Sequence, residues 1–73
     1  MINPYENLAN AIVVQAAKDY LTALKKLKKD PNDEQSVYTR DDCERFFRSP
    51  WYRGLTKVDG EYLMRKLRKE AGV

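Results

Sequence analysis

Cys43 is the only thiol in the sequence, and there is no histidine to deprotonate it. A nucleophilic cysteine needs a neighbouring base or an electropositive setting to hold its thiolate. Cys43 instead stands close to Phe46 and Phe47, where burial raises a thiol pKa. Two carboxylate pairs, Asp41-Asp42 and Asp30 with Asp33, have the residue types for general acid–base work. Each is also accounted for by position, the first in a helix cap and the second in a turn. One cysteine and no histidine cannot build a closed zinc site. Three scattered glycines, Gly54, Gly60 and Gly72, offer no phosphate-cradling loop. The sequence therefore predicts no enzyme, no metal, no cofactor and no small-molecule substrate, and it points to binding another macromolecule.

Three groups of residues could do that binding. Arg65, Arg68 and Lys69 with Lys66 lie late in the chain, and Lys25 and Lys29 lie with Lys26 and Lys28 before Asp30. Together they form a candidate surface for an anionic partner. Cations in the last turn of a helix also stabilise its dipole, which explains both groups without any partner. A short turn followed by a basic helix resembles a helix-turn-helix DNA reader. Against that, Asp59 and Glu61 would face phosphate, and no asparagine or glutamine stands there to read bases. Nucleic acid is the less favoured partner. The aromatic cluster Phe46, Phe47, Trp51 and Tyr52 has the composition of an interface hot spot. The general preference of large aromatics for burial assigns both phenylalanines and Trp51 to the core instead.

Positioning these groups requires helices. The chain has 73 residues, enough for a single domain over 1–73, and domains of this size bury only about 60% of their unfolded surface. No intramolecular disulfide is available, so helix packing or oligomerisation must supply stability. Asn3-Pro4-Tyr5-Glu6 reads as a helix start, with a capping residue, proline at N1 and glutamate at N3. That first helix is expected to run to about Lys29, because Asp30 precedes Pro31. Tyr5, Ala9, Ile12, Val13, Ala16, Tyr20, Ala23, Leu24 and Leu27 share its apolar face. The polar stretch from Asp30 to Ser36 predicts a loop. A second helix is expected from Thr39, capped by Thr39 to Asp42 and stapled by Tyr38 and Cys43, with Asp41–Arg45 and Glu44–Arg48 as i,i+4 pairs. Ser49-Pro50 stops it and caps a short turn from Trp51 to Gly54. A third helix begins near Thr56 or Asp59 and runs to about Ala71, burying Gly60, Leu63, Met64, Leu67 and Ala71. No segment alternates with period two. The predicted fold is all-α: a small three-helix domain with a long first helix and a short extra helical turn.

Val14, Ala17 and Leu21 form a second apolar strip, roughly 120° from the main face of the first helix. From Pro4 to Lys29 that helix would measure about 39 Å at 1.5 Å per residue. A compact chain of this length is only about 29 Å across. An overhanging helix with a second strip predicts a protein partner or a homodimer through Val14, Ala17 and Leu21, unless the last helix covers the strip.

Net charge is +3, from 14 basic and 11 acidic residues, and the excess lies wholly in the second half. The longest apolar run, Ala11 to Val14, is far too short to span a membrane. A lone thiol fits a reducing compartment, so a cytoplasmic location is expected.

Glu44-Arg45-Phe46-Phe47-Arg48-Ser49-Pro50-Trp51-Tyr52, then Leu55-Thr56 and Asp59-Gly60-Glu61-Tyr62-Leu63, resemble small uncharacterised proteins of prophages and integrative elements in Gram-positive gut bacteria. Asn10-Ala11-Ile12-Val13 and Ala16-Ala17-Lys18-Asp19-Tyr20 belong to the same likeness. The resemblance brings no site residues. It implies a setting in which small proteins regulate phage genes or inhibit a host enzyme or defence system.

Overall fold

The computed structural model describes residues 11–73, which form α1 (Ala11–Lys29), α2 (Glu34–Phe47), α3 (Pro50–Leu55) and α4 (Gly60–Ala71). Among the described residues there is no strand, and the domain is all-α with a long first helix and a short extra one. The cap predicted at Asn3 and the first two positions of the apolar face, Tyr5 and Ala9, lie outside the described residues.

Helix α1 stops where Pro31 forces it to, the last backbone bond running from the Asp30 amide to the Lys26 carbonyl at 2.8 Å. The chain then turns more tightly than the sequence suggests. Helix α2 begins at Glu34, not Thr39, and its N-cap is Asp33, whose carboxylate accepts from the Ser36 amide at 3.1 Å. The Ser36 hydroxyl donates to the same carboxylate. The stretch read as a loop is thus itself a cap: aspartate at N-cap, glutamate at N1 beside the positive end of the dipole, and a serine that folds back. Thr39 lies inside the helix. Tyr38 is exposed while Cys43 is buried, so the two do not staple the start.

Ser49 caps α3 by accepting from the Tyr52 amide at 3.2 Å, with Pro50 in the first turn as predicted. Asp59 caps α4, accepting from the Tyr62 amide at 3.2 Å. At the far end Gly72 adopts φ 83°, and the Val73 amide reaches back to the Arg68 carbonyl at 3.1 Å. This is the left-handed glycine stop that a residue with a Cβ adopts only with strain.

Pairs across the helices fix the arrangement. Lys26–Asp33 and Tyr20–Glu44 make α1 and α2 antiparallel, and Arg48–Glu61 and Glu44–Arg68 make α2 and α4 antiparallel. Helix α1 therefore carries neighbours on two flanks, and its buried arc is wider than one stripe. Val13, Tyr20, Ala23 and Leu24 are buried as predicted, while Ala16 and Leu27 are half-buried. Ile12, placed on the core face by periodicity, is exposed. Ala17, placed on the outer strip, is fully buried. The five residues predicted for the inner face of the last helix, Gly60, Leu63, Met64, Leu67 and Ala71, are all buried.

The described residues measure 33 × 30 × 18 Å. The 19 residues of α1 span about 28 Å. That part of the helix does not overhang; the predicted overhang rests on positions before Ala11, outside the described residues.

Candidate protein-binding surface

A ladder of rings runs from the centre of the molecule to its surface. Tyr20, fully buried, meets Phe47 edge-on with centroids 5.6 Å apart. Phe47 meets Tyr52 at 5.6 Å and 85°, and Phe46 meets Tyr52 at 5.7 Å and 88°. Phe46 in turn holds Trp51 edge-on at 5.5 Å and 82°. Offset and edge-to-face geometries of this kind are favoured by the ring quadrupoles.

The ladder ends in solvent. Trp51 is 61% exposed, so the assignment of Trp51 to the core is corrected, and Phe46 is only half-buried. Local geometry gives the reason. Consecutive residues of a helix point about 100° apart, and α3 is a six-residue helix launched tightly from Ser49. The Ser49 hydroxyl donates to the Phe46 carbonyl at 2.7 Å, fixing that launch. With Tyr52 turned inward, adjacent Trp51 has to turn out. Tyr52 takes the buried place that residue type alone gave to tryptophan.

Phe46 also closes one end of a groove of about 420 Å³ between α1 and α2, lined by Ala11, Ile12, Gln15, Ala16, Asp19, Asp42, Cys43 and Phe46. Cys43 lies at its base, and its thiol is pushed up to about 11 by burial and then by the charges of Asp19, Asp42 and Glu44. A thiol held protonated in this way is a poor nucleophile.

Of the residues predicted to meet an anionic partner, Arg65, Lys69, Lys25 and Lys29 are exposed. Arg68 is not available in the same way. Its Nε donates to the Tyr20 hydroxyl at 2.9 Å, and its second guanidinium nitrogen donates to Glu44 Oε2 at 3.0 Å. Tyr20 donates to the same carboxylate oxygen at 2.8 Å, so one half-buried cluster braces α1, α2 and α4. Arg48 likewise serves the fold, bound to Glu61 at 2.8 Å and to Glu44 at 3.7 Å. The predicted Glu44–Arg48 pair is thereby present, whereas Asp41 is bound by Arg40 rather than Arg45. Helices α1 and α4 end together: a Cβ at Gly72 would stand 2.6 Å from the Lys28 ammonium. Two helix C-termini meet there, and lysines beside them complement both dipoles.

The strip Val14, Ala17, Leu21 is mostly enclosed. Ala17 has no exposed area, and Val14 and Leu21 are half-buried against the core. Leu21 and Lys28 follow Val14 at heptad spacing, on the side of α1 that meets Gly72 at the end of α4. The strip is therefore a packing face, and Ala17 in particular is withdrawn as a contact for another molecule.

The Glu44 cluster makes stability depend on pH. Burial works to raise the Glu44 pKa, but hydrogen bonds from Tyr20 and Arg68, together with the positive charge of Arg68, outweigh it and hold the carboxyl below its ordinary value of 4.5. A carboxyl depressed in the folded state contributes its stability in full above that ordinary value, and loses it as pH falls through the folded one. Glu44→Gln should therefore lower the melting temperature at neutral pH and flatten its decline as pH falls below the ordinary carboxyl value of 4.5. Thermal melts by circular dichroism across that range check this; parallel acid limbs for the two proteins would remove Glu44 from the account.

No family model matches the chain, and no characterised protein or solved structure is detectably similar to it. No helix among the described residues is long and apolar enough to cross a membrane.

Proposed function

We propose that this chain is a non-enzymatic protein-binding module whose anchor is Trp51. The observation that carries the reading is a tryptophan 61% exposed, held rigidly edge-on by Phe46 and rooted in the core through Tyr52. The contact with Phe46 uses only part of the ring, and tryptophan is enriched among the few residues that dominate the energetics of protein interfaces. In the mobile-element setting that the resemblance implies, the module modulates or inhibits a host or phage protein. Reading of DNA through Arg65, Arg68 and Lys69 is the weaker proposal, because Arg68 is spent on Glu44 and Tyr20 and because Glu61 shares the helix.

Trp51→Ala is the test. The variant should lose only about 1 kcal/mol of stability, the worth of one aromatic pair at the surface. Binding should fall by about thirtyfold or more, the equivalent of about 2 kcal/mol for a hot spot. The measurement is affinity capture from the host, with and without nuclease, using wild type and variant as baits and mass spectrometry as readout. A protein captured equally by both baits would remove Trp51 as anchor. A catch that disappears with nuclease would move the reading to nucleic acid.

A further inference from the structure

The groove between α1 and α2 differs in charge from the rest of the chain. The protein carries +3 overall, yet among the described residues the only charged side chains lining this groove are Asp19 and Asp42. Asp19 accepts from the Gln15 amide at 2.9 Å, and both carboxylates are exposed. Neither makes an ion pair among the described residues. Beside them lies an apolar lining of Ala16, Cys43 and Phe46, with the side chain of Ile12 exposed at its edge. Three other grooves among the described residues have arginine or lysine in their linings.

We infer that the α1/α2 groove receives a basic amphipathic helix of a protein partner, its apolar side chains seated on Ala16 and Phe46 and its cations over Asp19 and Asp42. The inference rests on the protein-binding reading and names the chemistry of the partner. The shape fits a helix: Ile12, Ala16 and Asp19 recur along α1 at i, i+4 and i+7, opposite Asp42 and Phe46 at i and i+4 on α2. Two such ridges leave a furrow that takes a third helix along its length. The furrow runs about 12 Å from Ala11 to Asp19, room for two turns of the visitor. Charge supplies the polarity. An acidic partner would meet two carboxylates at the rim, and an uncharged one would leave both without a counter-charge as the groove closed.

The probe is a synthetic helical peptide of about 14 residues, leucines on one face and lysines on the other, beside the same peptide with glutamate for lysine. Titrated into isotope-labelled full chain, the lysine peptide should shift the amide resonances of Ala16, Asp42 and Phe46. The glutamate peptide should not bind. Asp19→Lys with Asp42→Lys should weaken the lysine peptide by about tenfold or more, and salt should weaken the wild-type complex. If the reversed pair disturbs the helical circular dichroism, Asp19→Asn with Asp42→Asn gives the same comparison in milder form. Equal binding of both peptides, shifts centred away from the groove, or no binding of the lysine peptide overturns the inference. Light scattering that shows a dimer whose interface is this groove would make the occupant a second copy and overturn it as well. Failure here is separable from failure of the broader reading, since capture through Trp51 is scored with a different variant.

Discussion

Phe47→Ala should remove a large share of the protein's stability, about 3–5 kcal/mol. The ring is 2% exposed and is touched by the rings of Tyr20, Phe46 and Tyr52, so its removal opens a hole that three aromatic neighbours cannot close. Truncation of a buried phenylalanine costs about 3–5 kcal/mol. A 73-residue domain has a total stability of roughly 4–11 kcal/mol at the usual value per residue. Urea titration followed by far-ultraviolet circular dichroism measures the change directly. A midpoint within a few tenths molar of wild type would mean that the ring ladder is not the core. Trp51→Ala, at the outer end of the same ladder, is the internal contrast, because its ring is largely in water.

Gly60→Ala should be the most damaging small change in the molecule. A Cβ at Gly60 would lie 2.1 Å from the Phe47 carbonyl oxygen, so the first turn of α4 sits directly on the backbone at the end of α2. The obstacle is backbone, which cannot swing aside as a side chain would. Helix α4 must move, and Leu63, Met64 and Leu67 move with it. Overpacking of this kind costs about 3 kcal/mol, which outweighs the gain of up to about 1 kcal/mol that alanine normally brings to a helix. With a net cost of about 2–3 kcal/mol, the melting temperature of a chain of this size should fall by roughly 8–24 °C. Gly54→Ala is the control: nothing lies within 4 Å of its added methyl, and it should be neutral or slightly stabilising. If the two variants melt alike, the close approach of α4 to α2 is wrong.

Those two glycines mark the limit of what the sequence could reveal. Gly60 was legible as a core-facing position because Leu63, Met64, Leu67 and Ala71 follow it at helical spacing. Asp59 and Ser49-Pro50 were legible as caps because local hydrogen bonding decides a cap. The start of α2 was missed because Asp33, Glu34, Gln35 and Ser36 are as suited to a loop as to a first turn. Only docking, which buries Ser36 and pairs Asp33 with Lys26, selects the helix. Periodicity put Ala17 and Ile12 on the wrong sides of their boundary because a single wheel assumes one packing partner, and α1 has two. Trp51 was assigned by residue type, whereas the handedness of a six-residue helix decides which of two adjacent aromatics turns inward. Arg68 read as one more surface cation because its partners stand 24 and 48 residues away. The groove left even less trace, being the space between two helices rather than a property of either.

The brace of Tyr20, Glu44 and Arg68 also bears on the time the molecule spends folded. Its three members come from three helices, so each contact needs two helices docked and the whole brace needs all three. A transition state that has assembled only one helix pair can hold at most part of it. Interactions absent from the transition state slow unfolding and leave the rate of folding nearly unchanged. The brace therefore acts as a latch: a small domain whose single cysteine allows no internal disulfide gains lifetime in the native state.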